Sequence, residues 1–313
     1  MPAQESSVPD SVLIVDGTAV AYRAFYAVRD LSTRDGTPTN ALFGFVRMLH
    51  QLEARWRPAR IVVTFDGGSP AHRLEKCPAY KAQRAPMPDE LRSQLALINE
   101  YLDAAGVPRL LIPHQEADDV MATLAARAAN AGATVRLATS DKDLMQLVTD
   151  RIRIVPPAKA DAEMGPAAVE AKTGVPPGRI VDWLALIGDA SDNIPGVRGI
   201  GPKTATQLLV RFGSLENCLA GIDQIESSSL REKLRDGEAT ARLNVELMQL
   251  DFHVPGVPEW GAIPPPAPEP AKLKAFFEKY ELHRFVAEMG APRPAAAAAT
   301  PAPPPSDGQL SLF

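Results

Sequence analysis

The sequence predicts an α/β fold in which helices flank a mostly parallel sheet. Three short runs rich in β-branched residues have the composition of buried strands: "VLIV" (12–15), "RIVVTF" (60–65) and "TVRLAT" (134–139). Sequence with helical periodicity separates these runs, and we expect helices over 40–55, 89–104 and 117–131. Strands that alternate with helices are typical of a parallel sheet covered on both faces.

The composition is that of an ordinary globular protein from a reducing compartment. The chain has 313 residues, of which 45% are hydrophobic and 23% charged, enough for one large domain or two modest ones. Its two cysteines, Cys77 and Cys218, form no CxxC pair, which excludes the usual cysteine-based zinc sites. The N-terminus lacks a signal-peptide pattern, and no apolar run approaches the roughly 20 residues of a membrane span. We therefore expect a cytoplasmic protein without a membrane partner.

The second half of the chain has a different character. Short helices punctuated by glycine indicate that an α/β domain over 1–165 is followed by a helical region over 166–290. Residues 291–308, "APRPAAAAATPAPPPSDG", contain too few large apolar side chains to build a core, so we expect a disordered linker. The last five residues, "QLSLF" (309–313), are apolar again.

Acidic residues follow each predicted strand almost at once. Asp16 follows the first strand, Asp66 the second, and Asp141 and Asp143 the third. In open α/β sheets the ligand crevice lies at the carboxyl ends of the strands. We therefore expect these four carboxylates to face one crevice.

The stretch "HQEADDV" (114–120) places Glu116, Asp118 and Asp119 at the start of a helix. On its own, an acidic first turn is more typical of a helix cap, because it satisfies free N–H groups and suits the positive end of the helix dipole. Glu116 and Asp119 share one helix face at i, i+3, with Asp118 beside them. Asp189 and Asp192 in "GDASDN" complete a set of nine acids, although turn capping would also explain these two.

The whole set has a chemical interpretation that its members lack individually. Nine carboxylates that converge on one crevice would repel one another strongly unless cations neutralised them. Oxygen ligands without His or Cys select Mg²⁺ or Mn²⁺ over zinc. Two such ions about 4 Å apart form the usual arrangement for in-line displacement at a phosphate. The sequence therefore predicts a two-metal site for phosphate chemistry.

A basic segment follows Asp66. Between Arg73 and Arg84 the chain carries four basic residues and one acid, although its overall net charge is −5. Basic groups interleaved with an aromatic ring, here Tyr80, suit a single-stranded nucleic-acid backbone and a stacked base. A solvated surface loop is the alternative for such a cluster.

The stretch "GVRGIGPKTA" (196–205) predicts a helix–hairpin–helix element. Pro202 separates Gly201 from Lys203 and no strand precedes the glycines, which excludes both a P-loop and a dinucleotide loop. Backbone N–H groups at the start of the second helix can bind phosphate without reading bases. Gly199 and Gly201 would allow close approach, and Lys203 and Thr204 would add contacts; a plain helix–helix turn is the alternative.

Seven motifs in order resemble the 5′ nuclease domain of bacterial DNA polymerase I, a member of the flap endonuclease family. They are "VDGTAVAYRAFYAV", "TPTNALFGF", "TFDGG", "YKAQRAPMPDELRSQL", "EADDVMATLA", "TSDKDLMQLV" and "DNIPGVRGIGPKTATQLL". The resemblance covers about residues 12–290. It implies a PIN-like fold, two divalent metals held by the nine acids, and cleavage near 5′ ends of branched duplex DNA. No polymerase domain follows, so the chain resembles a free-standing member.

The resemblance also implies roles for individual residues. Residues 70–90 would form a gateway over the metals, with Lys81 and Arg84 at the scissile phosphate. The pattern of basic and aromatic residues in this segment, and not the resemblance, predicts that Arg73 and Tyr80 contact DNA. His72 stands where relatives often have Phe, and Pro78 would interrupt a regular helix in this arm. Arg23 resembles a further phosphate contact. The glycine hairpin would hold duplex DNA and a K⁺ ion.

The tail resembles the short peptide that bacterial proteins insert into the sliding clamp. Leu310, Leu312 and Phe313 would fill an apolar pocket and Gln309 would fix the orientation. We therefore expect a monomeric, Mg²⁺-dependent 5′→3′ exonuclease and flap endonuclease that acts at the nucleoid in primer removal and repair. A PIN-type ribonuclease on structured RNA and a non-catalytic, clamp-tethered DNA-binding scaffold are the alternatives.

Overall fold

A five-stranded parallel sheet forms the centre of the computed structural model, which describes residues 10–290. Its strands are β1 Ser11–Asp16, β2 Arg60–Phe65, β3 Arg109–Leu111, β4 Thr134–Ala138 and β5 Ile152–Ile154. The three predicted strands are confirmed as β1, β2 and β4. The edge strands β3 and β5 were not predicted, because three residues are too few to carry an alternating pattern.

The strand order places a crevice beside β1. The order is β3-β2-β1-β4-β5, with every neighbouring pair parallel. The chain therefore builds outward from β1 to β3 on one side and then returns to the other side of β1 for β4 and β5. Ligands bind α/β sheets where the strand order reverses in this way, at the carboxyl ends of the strands. Here that point lies between β1 and β4.

Helices cover both faces of the sheet. In the first half of the chain they are α1 Gly17–Ala27, α2 Asn40–Trp56, α3 Ala71–Lys76, α4 Asp89–Ala104 and α5 Ala117–Asn130. The predicted helices 40–55, 89–104 and 117–131 are confirmed as α2, α4 and α5. Alternate residues of β1 supply the two cores: Val12 and Ile14 pack on the α5 side, and Leu13 and Val15 on the α2 side.

The second half is mainly helical, as predicted. Its elements are α6 Pro166–Thr173, α7 Ile180–Ile187, β6 Gly188–Asp189, β7 Ile194–Pro195, α8 Pro202–Phe212, α9 Leu215–Ala220 and α10 Ser228–Met248. The short strands β6 and β7 pair antiparallel between α7 and α8. The buried Asn244 amide on α10 donates to Ala185 O at 2.9 Å and to Pro195 O at 2.8 Å, which fixes α7 and this hairpin against α10.

The last two described helices pack elsewhere. These are α11 Pro270–Lys279 and α12 His283–Gly290. The rings of Phe276 and Phe277 each lie 6.0 Å from the ring of Tyr101 on α4, and Phe285 joins the same apolar core as α2. The predicted region 166–290 is thus helical, but its last two helices extend the core of the α/β domain.

The expected absence of a membrane span concerns the described residues, and the predicted linker and clamp peptide do not. Within residues 10–290, no helix is both long enough and apolar enough to cross a membrane. The predicted linker 291–308 and the clamp peptide with Gln309, Leu310, Leu312 and Phe313 lie outside the described residues.

Candidate active site

Asp16 and Asp66 combine a structural role with a position at the crevice. Asp16 ends β1, and its Oδ1 accepts a hydrogen bond from the Ala19 N–H at 2.9 Å, so it caps α1. Asp66 follows β2, and its Oδ1 accepts from the Ala117 N–H at 2.9 Å at the start of α5. Each cap engages one carboxylate oxygen. Both residues therefore also cap helices, and the cap leaves the second oxygen of Asp66 available.

Asp16, Asp66, Asp118 and Asp141, which follow β1, β2 and β4 or begin α5, interact through their charges and are called the first acidic cluster. Burial raises the pKa of Asp16 to about 7, and the nearby charges of Asp66 and Asp141 add to this rise. Burial, followed by the charges of Asp141, Asp16 and Asp66, raises the pKa of Asp118 well above its usual value. The charges of Asp66 and Asp141 therefore act against the ionised forms of both Asp16 and Asp118.

Asp143, Asp189 and Asp192 form a second acidic cluster. Each offers a carboxylate oxygen, and these oxygens lie within 4.8 Å of one another. Burial and the neighbouring acids raise the pKa of Asp143 to about 8. Burial alone would raise the pKa of Asp189, but hydrogen bonds from Ser191 and Lys142 lower it below its usual value.

The donor set fits divalent metal ions. Oδ1 of Asp143 is buried and has no hydrogen-bond partner within the described residues, which is costly for a carboxylate in a cluster of three. Both clusters present only oxygen ligands, the kind that Mg²⁺ and Mn²⁺ prefer. A cation among these oxygens would supply the missing partner and offset the repulsion.

Asp119 is paired with a cation inside the protein. Its carboxylate is fully buried, and both oxygens bind Arg73: Nη1 lies 2.6 Å from Oδ2 and Nη2 lies 2.8 Å from Oδ1. Oδ1 also accepts from the Asp251 N–H at 2.9 Å. Glu116 and Asp119 do share one face of α5, but this face is turned toward the arm. In this structure Asp119 is thus a partner of Arg73, and its role as a metal ligand stays a prediction.

Arg73 does not face DNA as predicted. Arg73 is only 2% exposed, and its Nη1 also lies 2.6 Å from Oε2 of Glu116. Nη2 donates to the Gln249 carbonyl at 3.2 Å, beyond the end of α10. From sequence alone, a basic residue in a short polar segment is expected on the surface. Here the charge of Arg73 lies inside the protein, where it balances two buried carboxylates.

Tyr80 also differs from the prediction. The residue is 5% exposed, so its ring has no free face for a stacked base. Its hydroxyl lies 2.9 Å from Oε2 of Glu116 and 3.2 Å from Oδ2 of Asp192. Burial and these two carboxylates raise the pKa of Tyr80, which keeps the hydroxyl protonated as a donor. Tyr80 thus links α5 to the second acidic cluster.

The basic arm, residues 70–90, places two cations beside the second cluster. The helix α3 ends at Lys76, and Cys77 and Pro78 follow, so Pro78 does interrupt a regular helix. Lys81 Nζ lies 2.8 Å from Oε1 of Glu116, and Arg84 Nη2 lies 2.6 Å from Oδ1 of Asp192. Burial opposes the charge on Lys81, but Glu116 and Asp192 outweigh it and raise the lysine pKa.

The glycine hairpin presents an uncapped helix start. Gly201 precedes α8 without a side-chain cap, and Pro202 occupies the first turn. First-turn N–H groups have no acceptor within their own helix, so those of Lys203 and Thr204 are available to a ligand. Lys203 is exposed, and a side chain at Gly201 would meet nothing within 4 Å. Gly199 has φ +77°, which glycine adopts without strain.

Lys142 was missed by the sequence interpretation. Its Nζ lies 2.9 Å from Oδ1 of Asp189, so it neutralises part of the second cluster. Its position between Asp141 and Asp143 in "TSDKD" was an available signal. Asn193, also missed, has φ +58° and donates to the Ala79 carbonyl at 2.7 Å, which holds the arm over the cluster. Nothing local in the sequence indicates that long-range contact.

Two family models together match residues 11–268. Residues 11–174 match the model described as "5'-3' exonuclease, N-terminal resolvase-like domain". Residues 175–268 match the model described as "5'-3' exonuclease, C-terminal SAM fold". These matches agree with the predicted PIN-like α/β domain followed by a helical region.

Two relatives illustrate the sequence similarity. The thermostable DNA polymerase I of Thermus thermophilus is 44% identical over 96% of this chain, which corresponds to 36% of the polymerase. A 5′-3′ exonuclease of Aquifex aeolicus is 37% identical over 89% of this chain and 95% of its own length. The chain thus spans about a third of the polymerase and nearly all of the Aquifex protein.

Solved structures share the fold. The T5 5′-exonuclease with bound divalent metal ions (zinc) superimposes with a TM-score of 0.62 at 24% identity, covering 76% of this chain and 89% of its own. The catalytic core of Rad2 in complex with DNA substrate gives a TM-score of 0.60 at 20% identity, covering 92% and 94%. Both are similar to this chain in the arrangement of their elements.

We predict that Arg73→Ala lowers the free energy of unfolding by about 3–5 kcal/mol, because it leaves buried carboxylates without their cation. Chemical denaturation in EDTA measures this. Lys76→Ala is the matched control, since it breaks an exposed ion pair with Glu246 on the same helix and should cost at most about 1 kcal/mol. The double variant Arg73→Ala/Asp119→Ala should lose less than the sum of its single changes. Equal losses for Arg73→Ala and Lys76→Ala would contradict the internal role.

We also predict that Asp143→Asn raises the melting temperature of the metal-free protein. The change removes one of three converging carboxylates, and a gain of about 1 kcal/mol corresponds to roughly 2–4 °C. Added Mg²⁺ should then stabilise the variant less than the unaltered protein. Asp161→Asn, at an exposed acid outside both clusters, is the control for loss of charge. Equal Mg²⁺ stabilisation in all three proteins would rule out a metal at Asp143.

Proposed function

Because this chain belongs to the 5′-3′ exonuclease family, we propose that it hydrolyses phosphodiester bonds near 5′ ends of branched or flapped duplex DNA. It acts as a 5′→3′ exonuclease and flap endonuclease, with a role in primer removal and DNA repair. One observation carries the proposal: two acidic clusters meet where the strand order reverses, and a cationic arm lies directly beside them.

The carboxylates of the two clusters, with Glu116 between them, hold two divalent ions, Mg²⁺ or Mn²⁺. The ligand set is that of the nine predicted acids: Asp16, Asp66, Glu116, Asp118, Asp119, Asp141, Asp143, Asp189 and Asp192. When bound, such ions supply Lewis-acid charge for hydrolysis of a phosphodiester. The caps made by Asp16 and Asp66 and the hydrogen bonds to Asp189 hold these carboxylates in place before any ion arrives.

Lys81 and Arg84 bind the scissile phosphate. Both already donate to carboxylate oxygens at the border of the second cluster, and phosphate oxygens offer the same kind of acceptor. Arg84 has a side chain that is 51% exposed, so it can exchange its partner without a large desolvation change. Their charge stabilises negative charge that develops on the phosphate oxygens.

The hairpin and the first turn of α8 hold the duplex. Its N–H groups, together with Lys203 and Thr204, contact the sugar–phosphate backbone, and Gly199 and Gly201 allow close approach. Such contacts do not read base identity. A K⁺ ion at this hairpin remains a prediction from the family resemblance.

We predict metal-dependent cleavage at the junction of a 5′-labelled flap duplex, with activity in Mg²⁺ and none in EDTA. Asp16→Asn should lower the cleavage rate by about a thousandfold while DNA affinity stays within a factor of a few. Asp161→Asn serves as the control and should cleave normally. Faster cleavage of the matching RNA flap would favour the ribonuclease, and tight binding without cleavage would favour the scaffold.

A separate prediction concerns the hairpin. Lys203→Ala should weaken binding to all duplex sequences alike and reduce the slope of log affinity against log salt by about 1. Fluorescence anisotropy over a salt series measures both quantities. Lys274→Ala, at an exposed lysine on α11, is the control. Sequence-dependent losses, or an unchanged salt slope, would argue against a backbone contact at Lys203.

We further propose that "QLSLF" binds the bacterial sliding clamp and that the chain acts as a monomer at the nucleoid. Tethering would raise the local concentration on DNA without altering the active site. Deletion of 309–313 should abolish affinity for the clamp and leave cleavage of free flap DNA unchanged. Unchanged clamp affinity would remove this part of the proposal.

A further inference from the structure

A cavity of about 270 Å³ opens beside the first acidic cluster. Thr139, Ser140 and Asp141, at the carboxyl end of β4, form the wall nearest the cluster. The cavity therefore adjoins the place where the proposed reaction occurs. Of the residues on the other walls, only Arg23 has a predicted role, as a phosphate contact.

Three cations line this cavity, and they come from separate parts of the chain. Arg23 belongs to α1, Lys159 to the loop after β5, and Lys172 to the last turn of α6. All three are exposed, and within residues 10–290 their side chains form no ion pair or hydrogen bond. Lys81, Arg84 and Lys142, by contrast, are all paired with carboxylates. Three unpaired cations around one cavity indicate an anionic ligand.

The rest of the wall is apolar and firmly held. Met145, Ile154, Pro156, Ala158 and Met164 form it. Backbone hydrogen bonds join Ile154 to Met164 in both directions, at 3.1 and 2.8 Å, and so close the base of the loop that carries Lys159. Apolar walls with a few charged groups are typical of small-ligand sites, and the volume suits one compact unit.

We propose that this cavity binds one nucleotide of the cleaved DNA strand, next to the phosphodiester that is hydrolysed. Its phosphate lies among Arg23, Lys159 and Lys172, away from the Asp141 carboxylate, and its sugar and base lie against the apolar wall. These contacts do not address base edges, so binding is independent of sequence. The inference rests on the proposed function, because it takes the substrate to be a DNA strand.

The test combines a protein change with a substrate change. The double variant Lys159→Ala/Lys172→Ala and the unaltered protein are compared on flap duplexes that carry one neutral methylphosphonate at successive linkages on either side of the scissile bond. For one linkage, the neutral group should slow single-turnover cleavage by the unaltered protein about fivefold. The variant should cleave the natural strand about as slowly as the unaltered protein cleaves the strand with that neutral linkage. The neutral linkage should not slow the variant further.

Binding in EDTA provides a readout that does not depend on catalysis. On the natural strand, the slope of log affinity against log salt should be lower by about 1 for the variant than for the unaltered protein. On the strand with the neutral linkage, the two proteins should have equal slopes. Lys274→Ala is the matched control and should retain full sensitivity to the neutral linkage. Thermal unfolding of each variant establishes that it is folded.

Two results would overturn the proposal. One is the same methylphosphonate profile in the variant and the unaltered protein, which would mean that the lysines contact no nucleotide. The other combines two observations. Free deoxynucleoside monophosphate inhibits the unaltered protein but not the variant, and no neutral linkage changes the cleavage rate. That result would assign the cavity to a released product. Failure of the proposed function has a different signature, since the unaltered protein would then not cleave the natural flap at all.

Discussion

Repulsion among buried carboxylates is the constraint on which the rest of this structure depends. The topology brings acids from β1, β2, β4 and the start of α5 to one edge of the sheet, and burial raises the pKa of Asp16, Asp118 and Asp143. A protein cannot hold so many charges in a poorly solvated crevice without compensation. Helix starts supply part of it, because Asp16 and Asp66 accept backbone N–H groups at two of them. Side-chain cations supply another part.

These cations explain the position of the arm. Glu116 has Arg73, Tyr80 and Lys81 within hydrogen-bond distance, all from the arm. Asp192 binds Arg84 from the same segment, and its backbone carbonyl accepts the Lys81 N–H at 2.9 Å. The acids therefore dock the arm electrostatically, and the arm in turn brings Lys81 and Arg84 to the place where a phosphate would bind. A change in the charge of the clusters would alter both the metal affinity and the position of the arm.

The sequence predicts this site unevenly, and the reason is physical. Asp16, Asp66 and Asp141 could be grouped because strand composition and the rule for carboxyl ends of parallel strands are both local signals. The neighbouring sequence does not determine the direction in which a basic side chain points. Arg73 and Lys81 lie eight positions apart in one polar segment, yet one is an interior counter-ion and the other borders the site. Arg73 is buried because Asp119 faces the arm, and the helical period of α5 fixes only that Glu116 and Asp119 share a face, not what covers it. The short β3 and β5 were missed for a related reason, since tertiary contacts rather than pattern specify them.

The cations around the acidic clusters differ in how deeply they are buried and in how firmly they are paired. Arg73 lies deepest, makes several hydrogen bonds and cannot lose its proton, so it is a permanent structural partner. Lys81, Arg84 and Lys142 lie at the border, where their side chains are 14%, 51% and 36% exposed, and they can exchange a carboxylate for another anion. Arg23, Lys159 and Lys172 lie beyond the border and have no internal partner within the described residues. An anionic chain that approached the crevice would thus meet unpaired cations first, exchangeable ones next and the acidic clusters last. This order draws a phosphate backbone toward carboxylates that would otherwise repel it, and it requires the innermost cation to remain fixed.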